Sequence, residues 1–176
     1  MQGTGHIALV TGGARSGKSA LAERLAAKLA GGAGGARIYI ATAQPLDDEM
    51  AARIALHRKR RQDGWRTIEE PRDLAGALLG SDGQGVRLVD CLTLWLANMD
   101  GRADVAGLCD CLAAQRSPVV LVTNELGLGI VPADRETRRF RDAHGWMNQA
   151  LAAVADEVWM SVSGLPLRLK PERNIA

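Results

Sequence analysis

Aromatic side chains are scarce in this chain: one Tyr, one Phe and four Trp among 176 residues. Proteins that hold single-stranded nucleic acid stack its bases on aromatic rings, so that function is poorly supplied here. Cysteine is scarce as well. Cys91, Cys109 and Cys111 form an odd, sparse set that suits a reducing compartment and no disulfide framework. Cys109 and Cys111 stand too close together, without His or further Cys nearby, to read as a zinc site. No apolar run approaches the ~20 residues needed to span a bilayer. The N-terminus lacks a basic n-region followed by an apolar core and a cleavage site. No membrane insertion is expected, and the cytoplasm is the expected location. Net charge is also small, +2, which argues against a generally cationic, DNA-coating protein.

What is present is an ordinary globular composition, 47% apolar with mixed charges, long enough to bury one core. A single domain over residues 1–176 is expected. Short apolar runs alternate with helical patterns. "HIALVT", "RIYIAT", "VRLVD", "PVVLVTNE" and "VWMSVSG" read as strands, and "LRLK" as a short edge strand. "SALAERLAAKLA", "LDDEMAARIALHRKRRQ", "PRDLAGALLG", "LTLWLANM", "VAGLCDCLAAQ" and "DRETRRFRDAHGWMNQALAAVADE" read as helices. Continuous apolar strands alternating with helices predict an α/β fold: a mostly parallel sheet with helices on both faces. Ligands of such a sheet sit at the C-terminal ends of its strands.

Gly12, Gly13, Ala14, Arg15, Ser16, Gly17, Lys18 and Ser19 match G-x-x-x-x-G-K-[ST] between a strand and a helix, the context in which that pattern makes a phosphate-binding loop. Its glycines let successive N–H groups turn toward phosphate oxygens, and the following helix points its positive end at the same anion. Lys18 supplies a charge to the β/γ-phosphates, and the Ser19 hydroxyl can ligate Mg²⁺. Asp90 ends the strand "VRLVD", where a P-loop protein keeps the acid that holds Mg²⁺; the alternative is a cap for the next helix.

The charge that is not balanced is concentrated. From Arg53 to Arg66 there are six Lys/Arg against the single Asp63, so the rest of the chain is slightly acidic. Helical spacing places Glu49, Arg53, His57 and Arg60/Arg61 on one face. Guanidinium neighbours bias an imidazole toward its neutral, nucleophilic form and can hold a polyphosphate. From spacing alone three readings stay open: a solvated face, a nucleic-acid patch, and a His that attacks phosphorus. Asn124 and Glu125 end the fourth strand at the expected ligand edge; Glu125 is a candidate base for a hydroxyl substrate, the alternative being a loop hydrogen bond. His6 and His144 read as structural or exposed.

Beyond these readings the chain resembles a family. "LVTGGARSGKS", "YIATAQPLDDEMAARIALHRKRR…WRTIEEP", "VDCLTLWLANM", "LVTNELGLGIVP" and "FRDAHGWMNQALAAVADEVWMSVSGLPLRLK" are similar, in order and nearly end to end, to the blocks of the bifunctional adenosylcobinamide kinase/adenosylcobinamide-phosphate guanylyltransferases of cobalamin biosynthesis. The resemblance implies a RecA-like P-loop NTPase fold and a homotrimer. It implies a kinase that phosphorylates adenosylcobinamide with ATP or GTP. It also implies a transferase that passes GMP from GTP, through a GMP-histidine, to adenosylcobinamide phosphate, with Mg²⁺ as cofactor and no nucleic-acid partner. Carried over by motif, His57 is the guanylylated residue. Arg58, Lys59, Arg60 and Arg61, then Thr42, Ala43 and Gln44, then Glu69 and Asp90, join Gly12 to Ser19 as nucleotide contacts; Ser19 and Asp90 stay the expected metal ligands from the phosphate-binding-loop pattern itself. Leu56 stands where some relatives carry a second His. The rival readings are a P-loop small-molecule kinase without histidine chemistry and a RecA-like NTPase acting on nucleic acid.

Overall fold

A computed structural model describes residues 5–32, 35–60 and 64–171. The apolar runs assemble into one seven-stranded sheet of order β3-β2-β4-β5-β1-β6-β7. The strands are β1 (Ile7–Gly12), β2 (Arg37–Ala41), β3 (Trp65–Glu69), β4 (Val86–Asp90), β5 (Val119–Val122), β6 (Glu157–Val162) and β7 (Leu165–Lys170). All pair in parallel except β7, which runs antiparallel to β6. The helices are α1 (Lys18–Leu29), α2 (Asp48–Arg60), α3 (Leu74–Gly80), α4 (Leu92–Asn98), α5 (Val105–Ala113) and α6 (Arg135–Val154).

The central strands β1 and β5 are apolar and buried along almost their whole length because both faces of the sheet are covered there. In β1, Ile7 and Leu9 enter one core while Ala8 and Val10 enter the other, as the two-residue strand period requires. The first core packs the sheet against α3 to α6 through Leu74, Leu78, Leu96, Leu112 and Leu151. The second packs it against α1 through Leu21, Ala22 and Ala26. Each fully buried Leu contributes about 2 kcal/mol. Among the described residues α2 gives no side chain to either core. Aspartates start three helices: Asp73, Asp104 and Asp134 accept the N–H of Gly76, Gly107 and Thr137 at 2.9, 2.9 and 2.7 Å, bonds worth about 1 kcal/mol each.

The structure differs from the sequence expectation at three edges. β3 is a strand that no apolar run announced. It lies at the sheet border, with Trp65 and Ile68 half-buried and Arg66, Thr67 and Glu69 exposed. The fourth expected strand stops at Val122, and residues 123–125 leave the sheet. The last long helix ends at Val154, after which β6 takes Glu157.

At the N-terminal edge of the sheet a closed ion cluster holds β4 to the turn before β5. The fully buried Arg87 meets Asp82 at 3.1 Å and also bonds the Gln115 side chain. Asp82 further accepts the Ser117 N–H at 3.0 Å and the Arg116 Nε at 3.1 Å. Burial opposes ionisation of Asp82, but these donors and the Arg87 charge outweigh it and draw its carboxyl down to about 2.

Candidate nucleotide site

Strand register gathers the expected site residues at the other, C-terminal edge. Ala41 pairs with Glu69 on one side and Asp90 on the other. Val122 pairs with Asp90 and with Val10, and Gly12 pairs with Ser161. The loop Gly12–Ser19, the segment Thr42–Gln44, Glu69 and Asp90 therefore share one edge.

The loop after β1 has the backbone its glycines were expected to allow. Gly12 has φ 155°, and a Cβ there would lie 2.6 Å from both Ser16 Oγ and Ser161 O. Gly17 has φ 91° and caps α1 without a side-chain bond. The first amides of α1 thus keep their donors for an anion. Lys18 Nζ donates to Gly13 O at 3.1 Å. Ser19 Oγ donates to Asp90 Oδ2 at 3.3 Å, and Tyr39 OH donates to the same oxygen at 2.9 Å. The loop is braced from the far end of the chain: Ser16 O accepts Ser161 Oγ at 2.7 Å and Gly164 N at 2.9 Å. Arg15 is exposed with φ 54°.

Thr42 is fully buried, and its polar atoms are committed within the protein. Its Oγ1 donates to Cys91 O at 2.8 Å and accepts Cys91 N at 2.9 Å. Its N–H donates to Asp90 O at 3.3 Å. Its carbonyl accepts Asn98 Nδ2 at 2.8 Å, and that amide also donates to Pro71 O. Thr42 therefore locks the end of β2 to the end of β4, while Ala43 and Gln44 remain half-exposed. Cys91 is no nucleophile at neutral pH: burial, with the Asp90 charge adding to it, pushes its thiol up to about 12.

Beside this edge lies a cavity of about 610 Å³ between Ala43, Ile54, Arg58, Lys59 and Glu69, within the range of small-molecule sites. The turn of α2 that supplies Arg58 and Lys59 also carries His57. The helix positions of His57 and Arg60 are described but their side chains are not, and Arg61 lies outside the described residues. Arg58 forms an ion pair with Glu69 across the cavity wall, both side chains being exposed. Such a pair contributes under about 1 kcal/mol to stability, so its partners are readily exchanged for phosphate.

Tyr39, Asn98 and Ser161 were not singled out from the sequence. Tyr39, the only Tyr in the chain, gave a signal of rarity; Asn98 and Ser161 gave none, because their partners are remote in sequence. His144, read as structural or exposed, is buried among Thr93, Thr123 and Asn148. Burial lowers its pKa, with the Glu125 charge pulling the other way. Among the described residues no group of three or more His, Cys, Asp and Glu is placed to hold a metal, and no helix is long and apolar enough to cross a membrane.

A family model described as cobinamide kinase / cobinamide phosphate guanyltransferase matches residues 8–169. The bifunctional adenosylcobalamin biosynthesis protein CobP of Pseudomonas aeruginosa is 49% identical over 175 residues, covering 93% of this chain and 97% of the relative. The bifunctional adenosylcobalamin biosynthesis protein CobU of Escherichia coli is 45% identical over 184 residues, covering 92% and 98%. The flagellar accessory protein FlaH of Methanocaldococcus jannaschii superposes with a TM-score of 0.54 at 14% identity, covering 89% of this chain and 71% of that one. A protein of Pyrococcus horikoshii superposes with 0.54 at 11% identity, covering 97% and 89%. These last two share the fold alone.

Proposed function

The chain belongs to the cobinamide kinase / cobinamide phosphate guanyltransferase family, and from that premise we propose that it phosphorylates adenosylcobinamide and then converts the product to adenosylcobinamide-GDP. The observation that carries this reading is the sharing of one sheet edge by a phosphate-binding loop and the His57 turn of α2.

In the kinase step the amides of Gly13 to Lys18 cradle the β/γ-phosphates of ATP or GTP. Lys18 leaves the Gly13 carbonyl for them. The substrate hydroxyl forms a bond to the γ-phosphorus, and the bond to the β-phosphate oxygen breaks. Ser19 and Asp90 would hold Mg²⁺: a hydroxyl and a carboxylate facing each other at 3.3 Å are hard oxygen donors of the kind that ion takes, together with phosphate oxygens. When bound, Mg²⁺ neutralises charge on the phosphates. Tyr39 holds the Asp90 carboxylate in place.

In the transferase step the His57 imidazole attacks the α-phosphorus of GTP, a P–N bond forms, and pyrophosphate leaves. A phosphate oxygen of adenosylcobinamide phosphate then attacks the same phosphorus and the P–N bond breaks. Arg58, Lys59, Arg60 and Arg61 offset the phosphate charge. Ala43, Gln44 and Glu69 contact the nucleotide, and Thr42 positions that segment. The reading further takes residues 1–176 as one domain, working in the cytoplasm as a homotrimer, without nucleic acid and without membrane insertion; light scattering tests the trimer.

The test follows label. With Mg²⁺ and adenosylcobinamide, γ-label from ATP should appear on the corrinoid. Label from the α-phosphorus of GTP should appear first on the protein, as an acid-labile, base-stable adduct absent from His57→Ala. Bound GTP that leaves no α-label on the wild-type protein contradicts the transferase, leaving a P-loop kinase.

A further inference from the structure

The geometry points to the phosphoryl-acceptor site of the kinase step at the end of β5, in a cleft where Glu125 takes the proton of the attacking hydroxyl. This inference rests on the kinase reading and assigns the side of the site that the nucleotide does not fill. β5 lies between β1, which carries the phosphate-binding loop, and β4, which carries Asp90. Val122 is in register with both Val10 and Asp90, so the chain leaving β5 passes through the gap between loop and acid. Glu125 N donates to Gly12 O at 3.1 Å, which sets this residue against the first glycine of the loop. A cavity of about 280 Å³ opens there, lined by Glu125, Gly127, Arg141, His144 and Trp146.

The backbone at this point is held far more tightly than a connecting loop needs. Asn124 N donates to Thr93 Oγ1 at 3.0 Å, and Asn124 O accepts Asn148 Nδ2 at 3.0 Å. Thr123 Oγ1 donates to Asn148 Oδ1 at 2.8 Å, and His144 Nε2 lies 2.9 Å from Thr93 Oγ1. On the far side of Glu125, Arg141 donates to Gly127 O at 3.0 Å and to Ile130 O at 3.1 Å. Side chains from α4, α6 and Thr123 just beyond β5 thus fix the peptides on either side of one carboxylate, the support a reacting group requires. One Glu125 oxygen accepts the Gly127 N–H; the other has no protein hydrogen-bond partner among the described residues. The expected loop hydrogen bond is therefore present, and it orients the carboxylate without occupying it.

A cleft of this size is below the usual range for a whole drug-sized ligand. It admits the hydroxyl-bearing arm of a large substrate and leaves the macrocycle outside. The rim offers that macrocycle apolar surface: Ile130 is 96% exposed, Leu128 79% and Trp146 69%. In the step, the O–H proton passes to the free Glu125 oxygen as the O–Pγ bond forms. The Pγ–O bond to the β-phosphate breaks, the nucleoside diphosphate departs with the bonding pair, and Glu125 returns the proton to solvent.

The experiment is steady-state phosphorylation of adenosylcobinamide with γ-labelled ATP by wild type, Glu125→Gln and Glu125→Asp. A corrinoid titration of tryptophan fluorescence in wild type and Trp146→Phe accompanies it. Expected are a kcat lower by about 100- to 10,000-fold in Glu125→Gln at unchanged KM for ATP, partial recovery in Glu125→Asp, and loss of most corrinoid quenching in Trp146→Phe. A Glu125→Gln enzyme within threefold of wild type overturns the base. Should that variant fail to bind ATP, Glu125→Asp decides: full wild-type kcat at its shorter reach overturns the base, and a lowered kcat at unchanged KM supports it. Quenching and corrinoid KM both unchanged by Trp146→Phe overturn the location. Wild-type protein that passes no phosphate to the corrinoid overturns the kinase reading, and this inference with it.

Discussion

Both edges of the sheet carry charged side chains at strand ends, and they use them in opposite ways. At the N-terminal edge Arg87 is fully buried, and Asp82 meets it while taking donors from Arg116 and Ser117. At the C-terminal edge Lys18 rests on a loop carbonyl, Ser19 on Asp90, and Arg58 on Glu69 in solvent. The first arrangement is closed within the protein: the guanidinium that meets Asp82 is fully buried, out of reach of a ligand. The second consists of single contacts that a polyphosphate can replace. A strongly shifted carboxylate is therefore no mark of function in this molecule: Asp82, drawn down to about 2, sits at the edge away from the phosphate-binding loop. Perturbed groups locate sites only together with an opening.

Breaking the closed edge should have the largest effect. Asp82→Ala leaves Arg87 buried without its counter-charge, and a loss of about 3–5 kcal/mol is expected in urea denaturation, with ATP affinity of the folded protein unchanged. Wild-type stability in this variant would erase the contrast between the edges. Breaking the open edge should spare the fold: Lys18→Ala is expected to slow phosphoryl transfer by about 100- to 1,000-fold while the denaturation midpoint stays close to that of wild type.

Acid sharpens the comparison further. The folded pKa of Asp82 lies below its ordinary 3.8, so its stabilisation is complete above that value and is lost as pH falls toward about 2. Allowing for water at the carboxylate, the loss is about 1–2 kcal/mol. It is measured as the difference in urea midpoint between wild type and Asp82→Asn across that range, and a constant difference would contradict it. The smallest effect belongs to Glu69→Ala. Stability should change by less than about 1 kcal/mol, while the GTP needed for half-maximal labelling of the protein rises about tenfold, the value of a charge-assisted hydrogen bond.

How much of this was legible in the sequence depended on whether the signal was local. The loop from Gly12 to Ser19 is contiguous, so its strand, turn and helix could be read directly. Asp90 was legible because it ends an apolar run. β3 was not: as a border strand it buries only Trp65 and Ile68 partway, and "WRTIE" contains no apolar run. Thr42 looked like a ligand contact, yet its polar atoms are spent on Cys91, Asp90 and Asn98, partners that only the fold brings near. The network under Glu125 was hidden for the same reason: Thr93 lies in α4, Thr123 just beyond β5, and His144 and Asn148 in α6, and no spacing along the chain connects the three segments. Ser161 and Gly164, which brace the loop, lie at the other end of the chain from it.

The central claim is that α2 carries the nucleophile of the transferase at the open edge. The chain has three histidines, His6, His57 and His144, and His144 is enclosed by threonine hydroxyls while His6 meets Glu157 at 3.0 Å. The most direct test is to incubate the protein with Mg²⁺ and GTP, digest it without acid, and locate the GMP adduct by tandem mass spectrometry. The account predicts the adduct on the peptide containing His57 and on no other. An adduct on His6 or His144, or none while GTP remains bound, would contradict it.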